Sequence, residues 1–147
     1  MSTPQTSISV QGLTFDHVLT ATDVVDTPDE NGAVVKYDVM HPAVSSLVRG
    51  VYIITENDVI VYVGKYTGTF EKRWLYTNLN KIYHHKRNAI AASRRAGSSV
   101  HVYAQTEDEL RRQIPAAVND SDMWINVGGI EAALIRTLAP AWNSAGA

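Results

Sequence analysis

The sequence predicts an α+β fold: a small, mostly antiparallel three-stranded central sheet flanked by helices. Three observations carry that expectation. GVYIIT (50–55) and VIVYVG (59–64) are β-branched, aromatic runs separated by a short turn at Asn57-Asp58, which makes an antiparallel hairpin. HHKRNAIAASRRA (84–96) is Ala-rich and helical in cast, has Gly97 placed to cap it, and is followed by an alternating strand, SVHVYA (99–104). GIEAALIRTLA (129–139) puts Ile130, Ala133, Leu134 and Leu138 on one stripe and stops at Pro140, so the chain closes on a helix.

The elements follow in order. Residues 1–47 have weak periodicity and a turn-rich centre at TPDENGA (27–33). LTFDHVLT (13–20) and AVVKYDVM (33–40) alternate enough to form a hairpin around Asn31-Gly32, so this stretch reads as an N-terminal appendage to a domain spanning 48–147. FEKRWLYTNL (70–79) has a helical pattern with Phe70, Trp74 and Thr77 on one face, and Trp74 is expected in the core. Thr106, followed by Glu107, Asp108 and Glu109, has capping-box spacing and opens a helix that ends before Pro115. Residues 116–127 are ambiguous.

Composition bounds the function. The 147 residues, 45% hydrophobic and 19% charged, suit one compact domain. The absence of Cys excludes disulfides, Cys-ligated zinc, iron–sulfur clusters and thiol nucleophiles. No run approaches a membrane span, and MSTPQTSISVQG lacks the features of a signal peptide, so a cytoplasmic protein with no membrane partner is expected. The net charge of −2 conceals an asymmetry. Residues 1–60 hold two bases against eight acids, whereas residues 61–100 hold eight bases against Glu71 alone. Forty residues so one-sided point to a polyanion partner more than to two solvated helix faces. The acidic N-terminal region could meet a partner or immunity protein.

Taken singly, the polar candidates have ordinary explanations. Tyr52 and Tyr62 suit cross-strand packing, Glu131 suits the first turn of a helix, and Asn143 suits a turn. Taken together they resemble the GIY-YIG nuclease superfamily. GVY (50–52) and VYVG (61–64) match the naming motif with Val for Ile. TFEKRW (69–74) looks like the segment of intron-homing members that carries a helical arginine, here Arg73. EAALIRTLAPAWN (131–143) resembles the terminal motif, and the excision-repair nuclease subunit has a similar tail. The resemblance covers residues 48–143 and leaves 1–47 aside.

What the resemblance implies is a small, single-domain, divalent-metal-dependent DNA endonuclease. Glu131 would be the one protein ligand of a single Mg²⁺ or Mn²⁺, ions that favour hard carboxylate and water. Tyr52 would act as general base, or position the attacking water. A phenol with an ordinary pKa near 10 needs a neighbouring cation for that, and Lys65 and Arg73 are the candidates. Arg73 would also grip the scissile phosphate, Tyr62 would orient phosphate or water, and Asn143 would hold the Glu131 end of the site. Thr77 departs from the pattern, standing where many members carry His or Tyr. His85 or His84 is expected to take over proton transfer. An alternative register sets Lys81 and His85 in the roles of arginine and histidine. Lys72, Tyr76, Lys81, His84, Lys86 and Arg87, with Lys65, are expected to bind substrate, while Arg94 and Arg95 read as non-specific phosphate contacts and His101 as structural. A restriction enzyme, a phage nuclease or a toxin-like effector suits such a chain, as a homodimer where both strands are cut. The competing reading is a catalytically degenerate nucleic-acid-binding module that uses the basic 65–95 segment.

Overall fold

A computed structural model describes residues 6–26, 33–71, 74, 84–114 and 126–143. Six strands, β1 (Ser7–Val10), β2 (Leu13–Asp26), β3 (Ala33–Val39), β4 (Val48–Glu56), β5 (Val59–Thr69) and β6 (Val100–Thr106), form one antiparallel sheet. Among the described residues three α-helices accompany it: α1 (His84–Arg95), α2 (Glu107–Gln113) and α3 (Val127–Leu138). The fold is therefore α+β with an antiparallel sheet and flanking helices, as the sequence predicts. Among the described residues no helix is long and apolar enough to cross a membrane.

The three expected strands are β4, β5 and β6, with β4 between the other two. Two-residue turns with both central residues at positive φ join β1 to β2 at Gln11-Gly12 and β4 to β5 at Asn57-Asp58, the twist-matched turn of tight hairpins. Asn57 does more than turn the chain: its Oδ1 accepts the Ser99 N–H at 3.0 Å and so fixes the entry to β6.

The N-terminal strands continue this sheet. A three-stranded sheet centred on β4 leaves the outer edge of β6 open, and β2 closes it, pairing Asp16 with Ala104 and Thr20 with His101. Leu19 and Thr20 have partners on both sides, β6 on one and β3 on the other, so the expected hairpin of β2 and β3 is built into the sheet. The sheet thus has six strands where the sequence pattern puts three, with 13–20 and 33–40 as a hairpin outside it; pairing across some eighty residues leaves no local signature.

Alternation along β4 divides the core in two. Tyr52 and Ile54 face a cluster with Tyr66, Phe70, Val102 and, from α1, Ile90 and Ala91. Val51 and Ile53 face the opposite cluster with Val63, Tyr103, Leu110 of α2, and Ile130 and Leu134 of α3. α1 and α3 therefore cover opposite faces.

The helix ends follow from their residues. At the end of α1, the Gly97 N–H donates to Arg94 O and the Ser98 N–H to Ser93 O, with Gly97 at φ +88°, the paired bonds of a Schellman motif. Thr106 accepts the Glu109 N–H, so the expected cap of α2 is present. α3 starts two residues before the expected helix because the Asn126 side chain caps it through the Gly129 N–H. Of the expected helix at 70–79, Phe70 and Glu71 are helical, Trp74 is described without its neighbours, and the rest lies outside the described residues, as do 115–125.

Candidate active site

Register explains why glycine and tyrosine occur together in GVY and VYVG. Tyr52 of β4 stands opposite Gly64 of β5, and Gly50 of β4 stands opposite Tyr66 of β5. Each tyrosine ring lies across the glycine facing it. A Cβ on Gly64 would collide with the Tyr52 ring, and one on Gly50 would collide with the Tyr66 ring and with Gln105 O. The two glycines are sockets for rings. Tyr66, which the sequence reading left aside, is fully buried, donates to Gln105 O at 2.9 Å, and has its phenol pKa raised by burial.

The first turn of α1 completes this face. Tyr52 and Tyr62 stack with centroids 5.9 Å apart, and Trp74 meets Tyr52 edge-on at 5.2 Å. Trp74 is accordingly in the core, as expected, stacked on Phe70 and edge-on to Tyr37. Among these rings lies Lys86, only 7% exposed, its Nζ donating to Tyr52 Oη at 2.6 Å. The same Nζ lies 4.6 Å from the Tyr52 ring centroid, 4.8 Å from that of Trp74 and 5.7 Å from that of Tyr62.

Lys86 and Arg87, both expected to bind substrate, are buried. Arg87 is 4% exposed and lies near Tyr37, whose phenol pKa desolvation raises against the pull of that guanidinium. The physical reason is the packing of α1: its first turn is pressed onto the tyrosine face, and the long stems of both side chains run inward. Arg94 is also occupied structurally, its Nε donating to Thr22 O and its Nη1 to Ser98 O, which ties the end of α1 to β2 instead of leaving it for phosphate. The sequence reading offered Lys65 and Arg73 as the cations near Tyr52; Arg73 lies outside the described residues, and among those described Lys86 contacts the phenol. A lysine three residues into an Ala-rich helix, on the side that bears Ile90, is the signal that could have found it.

Lys65 and Glu131 belong to the other face. Lys65 alternates with Gly64 and Tyr66, and its Nζ lies 3.7 Å from where a Cβ on Gly128 would stand, at the first turn of α3. Glu131 is half-buried on that helix. Asn143 lies at the edge between the faces: its Oδ1 accepts the Val63 N–H at 2.8 Å and its Nδ2 donates to Val63 O at 2.9 Å. The Trp142 N–H donates to Val61 O, and Trp142 packs against the tyrosine-face core. The segment after α3 therefore passes along the outer edge of β5 from one face to the other.

Lys72, Arg73, Tyr76, Thr77 and Lys81 lie outside the described residues. His84 and His85 open α1, and their side chains are likewise outside. His101 is buried and structural: its Nδ1 and the Nε2 of His17 each lie 2.9 Å from Thr20 Oγ1. Burial lowers the pKa of both rings, and each has a further cation-disfavouring neighbour, His101 for His17 and Arg94 for His101.

Among the described residues no cluster of three or more His, Asp or Glu could cage a metal. An ion that keeps most of its water and takes one carboxylate would need only a side chain such as that of Glu131.

No family model and no curated protein matches this chain. In overall structure the chain is similar to a mutant of bacteriophage T4 EndoII, at a TM-score of 0.41 and 16% sequence identity, over 85% of this chain and 91% of that one.

Proposed function

We propose that this protein is a divalent-metal-dependent DNA endonuclease that hydrolyses phosphodiester bonds. The observation that carries the reading is the buried contact between Lys86 Nζ and Tyr52 Oη, 2.6 Å long inside an aromatic enclosure. Desolvating an ammonium is costly, and hydrophobic residues of similar volume would pack the same space at less cost. Burial by itself opposes a phenolate, and an ammonium held at the phenol oxygen works against that burial, which is what a tyrosine acting as a base needs.

In this reading Tyr52 takes the proton as the water oxygen bonds to phosphorus and one bridging P–O bond breaks. Lys86 stabilises the resulting distribution of charge by staying protonated at Tyr52 Oη. Tyr62, half-buried and stacked on Tyr52, is the outer tyrosine and orients the phosphate. Arg73 binds a phosphoryl oxygen. Glu131 would hold a Mg²⁺ or Mn²⁺ ion, which when bound stabilises negative charge on the phosphoryl oxygens. The two tyrosines and the Glu131 helix occupy opposite faces, so the substrate phosphate is taken at the outer edge of β5, where Asn143 fastens the strand that carries Tyr62. His84 and His85 stay as candidates for protonating the leaving oxygen. The exposed part of the basic segment holds the DNA backbone, in a restriction, phage or effector-type role.

The test is cleavage of supercoiled plasmid by wild type, Glu131→Ala and Lys86→Met, with Mg²⁺ and with EDTA. Metal-dependent cleavage lost in both variants supports the reading. Salt-sensitive DNA binding without cleavage by wild type in Mg²⁺ or Mn²⁺ would replace it with a binding module.

A further inference from the structure

One carboxylate joins the two halves of the proposed site without belonging to any motif. Glu107 is the first residue of α2, held there by the Thr106 cap at the end of β6. Its Oε2 accepts the backbone N–H of Val127 at 2.8 Å, in the first turn of α3. The same oxygen lies 3.5 Å from Arg49 Nε. Arg49 sits at the irregularity in β4, with φ +55°, immediately before Gly50, and Gly50 pairs with Thr106. The Glu107 side chain is 14% exposed, against 60% for Arg49, so the contact to α3 is the shielded one.

The arrangement has a physical logic. A helix begins with backbone N–H groups that lack intrahelical partners. In α3 the Asn126 side chain takes the Gly129 N–H and Glu107 takes that of Val127, and a carboxylate there also complements the helix dipole. The first turn of α3 is thereby fixed to the strand junction that leads into Gly50-Val51-Tyr52. Glu131 is one turn further along the same helix.

We infer that Glu107 is a positioning residue: by holding the first turn of α3 against the β4–β6 junction it sets where Glu131 stands relative to Tyr52 and Tyr62. The inference rests on the nuclease reading for Glu131, while the tether itself is independent of that reading. Two measurements on the full chain separate them. Amide hydrogen exchange by NMR reads the tether: Glu107→Ala should speed exchange at Val127 at least tenfold, and Glu107→Gln, whose amide oxygen can still accept, should stay within threefold of wild type. Plasmid cleavage in Mn²⁺ reads the consequence: kcat should fall at least tenfold in Glu107→Ala, with KM for DNA within twofold, and Glu107→Gln should recover at least half the wild-type rate. Should Glu107→Ala not fold, Glu107→Asp, one methylene short of Val127, takes its place with the same expectations. Unchanged exchange at Val127 overturns the tether. Raised exchange with cleavage within twofold of wild type, or equal loss in the Gln and Ala variants, overturns the positioning role. A wild type that cuts nothing overturns that role together with the nuclease reading, and the exchange result then shows whether the tether survives.

Discussion

Gly64→Ala tests whether the glycines of GVY and VYVG are sockets for rings. The added methyl would meet Cζ, Oη and Cε1 of Tyr52 at separations that real Cβ atoms do not show. The ring has little room to withdraw: Tyr52 is 1% exposed and is bounded by Tyr62, Phe70 and Trp74, with its oxygen on Lys86. Overpacking of a full core costs about 1–3 kcal/mol. Displacing the phenol from a charged donor adds roughly 1.5–3 kcal/mol. Together these approach roughly 3–6 kcal/mol, a large part of the ~5–15 kcal/mol that stabilises a typical domain. At about 2–4 °C per kcal/mol for a chain near this size, the melting temperature should fall by roughly 6–24 °C. Gly68→Ala, on the same strand, is the control, because a Cβ there meets nothing within 4 Å. Calorimetry of both variants, and of Gly64→Ala in a Tyr52→Leu background, isolates the clash, which the smaller side chain should relieve by at least about 1 kcal/mol of coupling. A Gly64→Ala protein that melts within about 2 °C of the Gly68→Ala protein, by the same scale, would refute the socket argument.

Three further outcomes are expected. Asn143→Ala removes both side-chain bonds to Val63 and should cost about 1–3 kcal/mol in urea denaturation, whereas Asn143→Asp, which can accept but not donate, should retain little of that. His17 and His101 have pKa values depressed below the ordinary 6.5, so below that pH the unfolded chain binds more protons than the folded one. Their contribution is complete above about pH 6.5 and is lost as pH falls below it; the urea midpoint should be level above pH 7, drop between about pH 6.5 and 5, and drop less in His17→Gln. Three of the eight bases in residues 61–100, Lys86, Arg87 and Arg94, are engaged inside the fold. The log–log salt slope of DNA binding by fluorescence anisotropy should therefore be shallower than the roughly −7 that all eight would permit.

Local signals in the sequence were legible wherever short-range chemistry decides structure. Asn57-Asp58 turns, Thr106 caps α2 and Gly97 ends α1 because each satisfies backbone groups a few residues away. The pairing of β2 with β6 was not legible, since antiparallel registry between residues 16–20 and 101–104 leaves no trace in either segment alone. The site divides the same way. Spacing pointed to Tyr52 and Tyr62, whose rings stack. Lys86 and Arg87 were singled out for substrate on charge alone, and their burial was not legible because only the docking of α1 onto the tyrosines turns both inward. Asn143 was singled out for the site, but its bond partners are the backbone atoms of Val63, a role that no side-chain pattern announces.

The closure of β6 by β2 has a consequence for modularity. Residues 48–143 carry every feature of the proposed chemistry, and an engineer seeking a compact cutting module would trim the chain to them. That cut would strip Val100–Thr106 of β2, one of its two neighbours, and leave the peptide groups of that edge as a template for a strand of any other chain, the geometry that seeds aggregation. The N-terminal strands act as a built-in selvedge, and a portable version of this protein would have to keep them or supply another strand in their place.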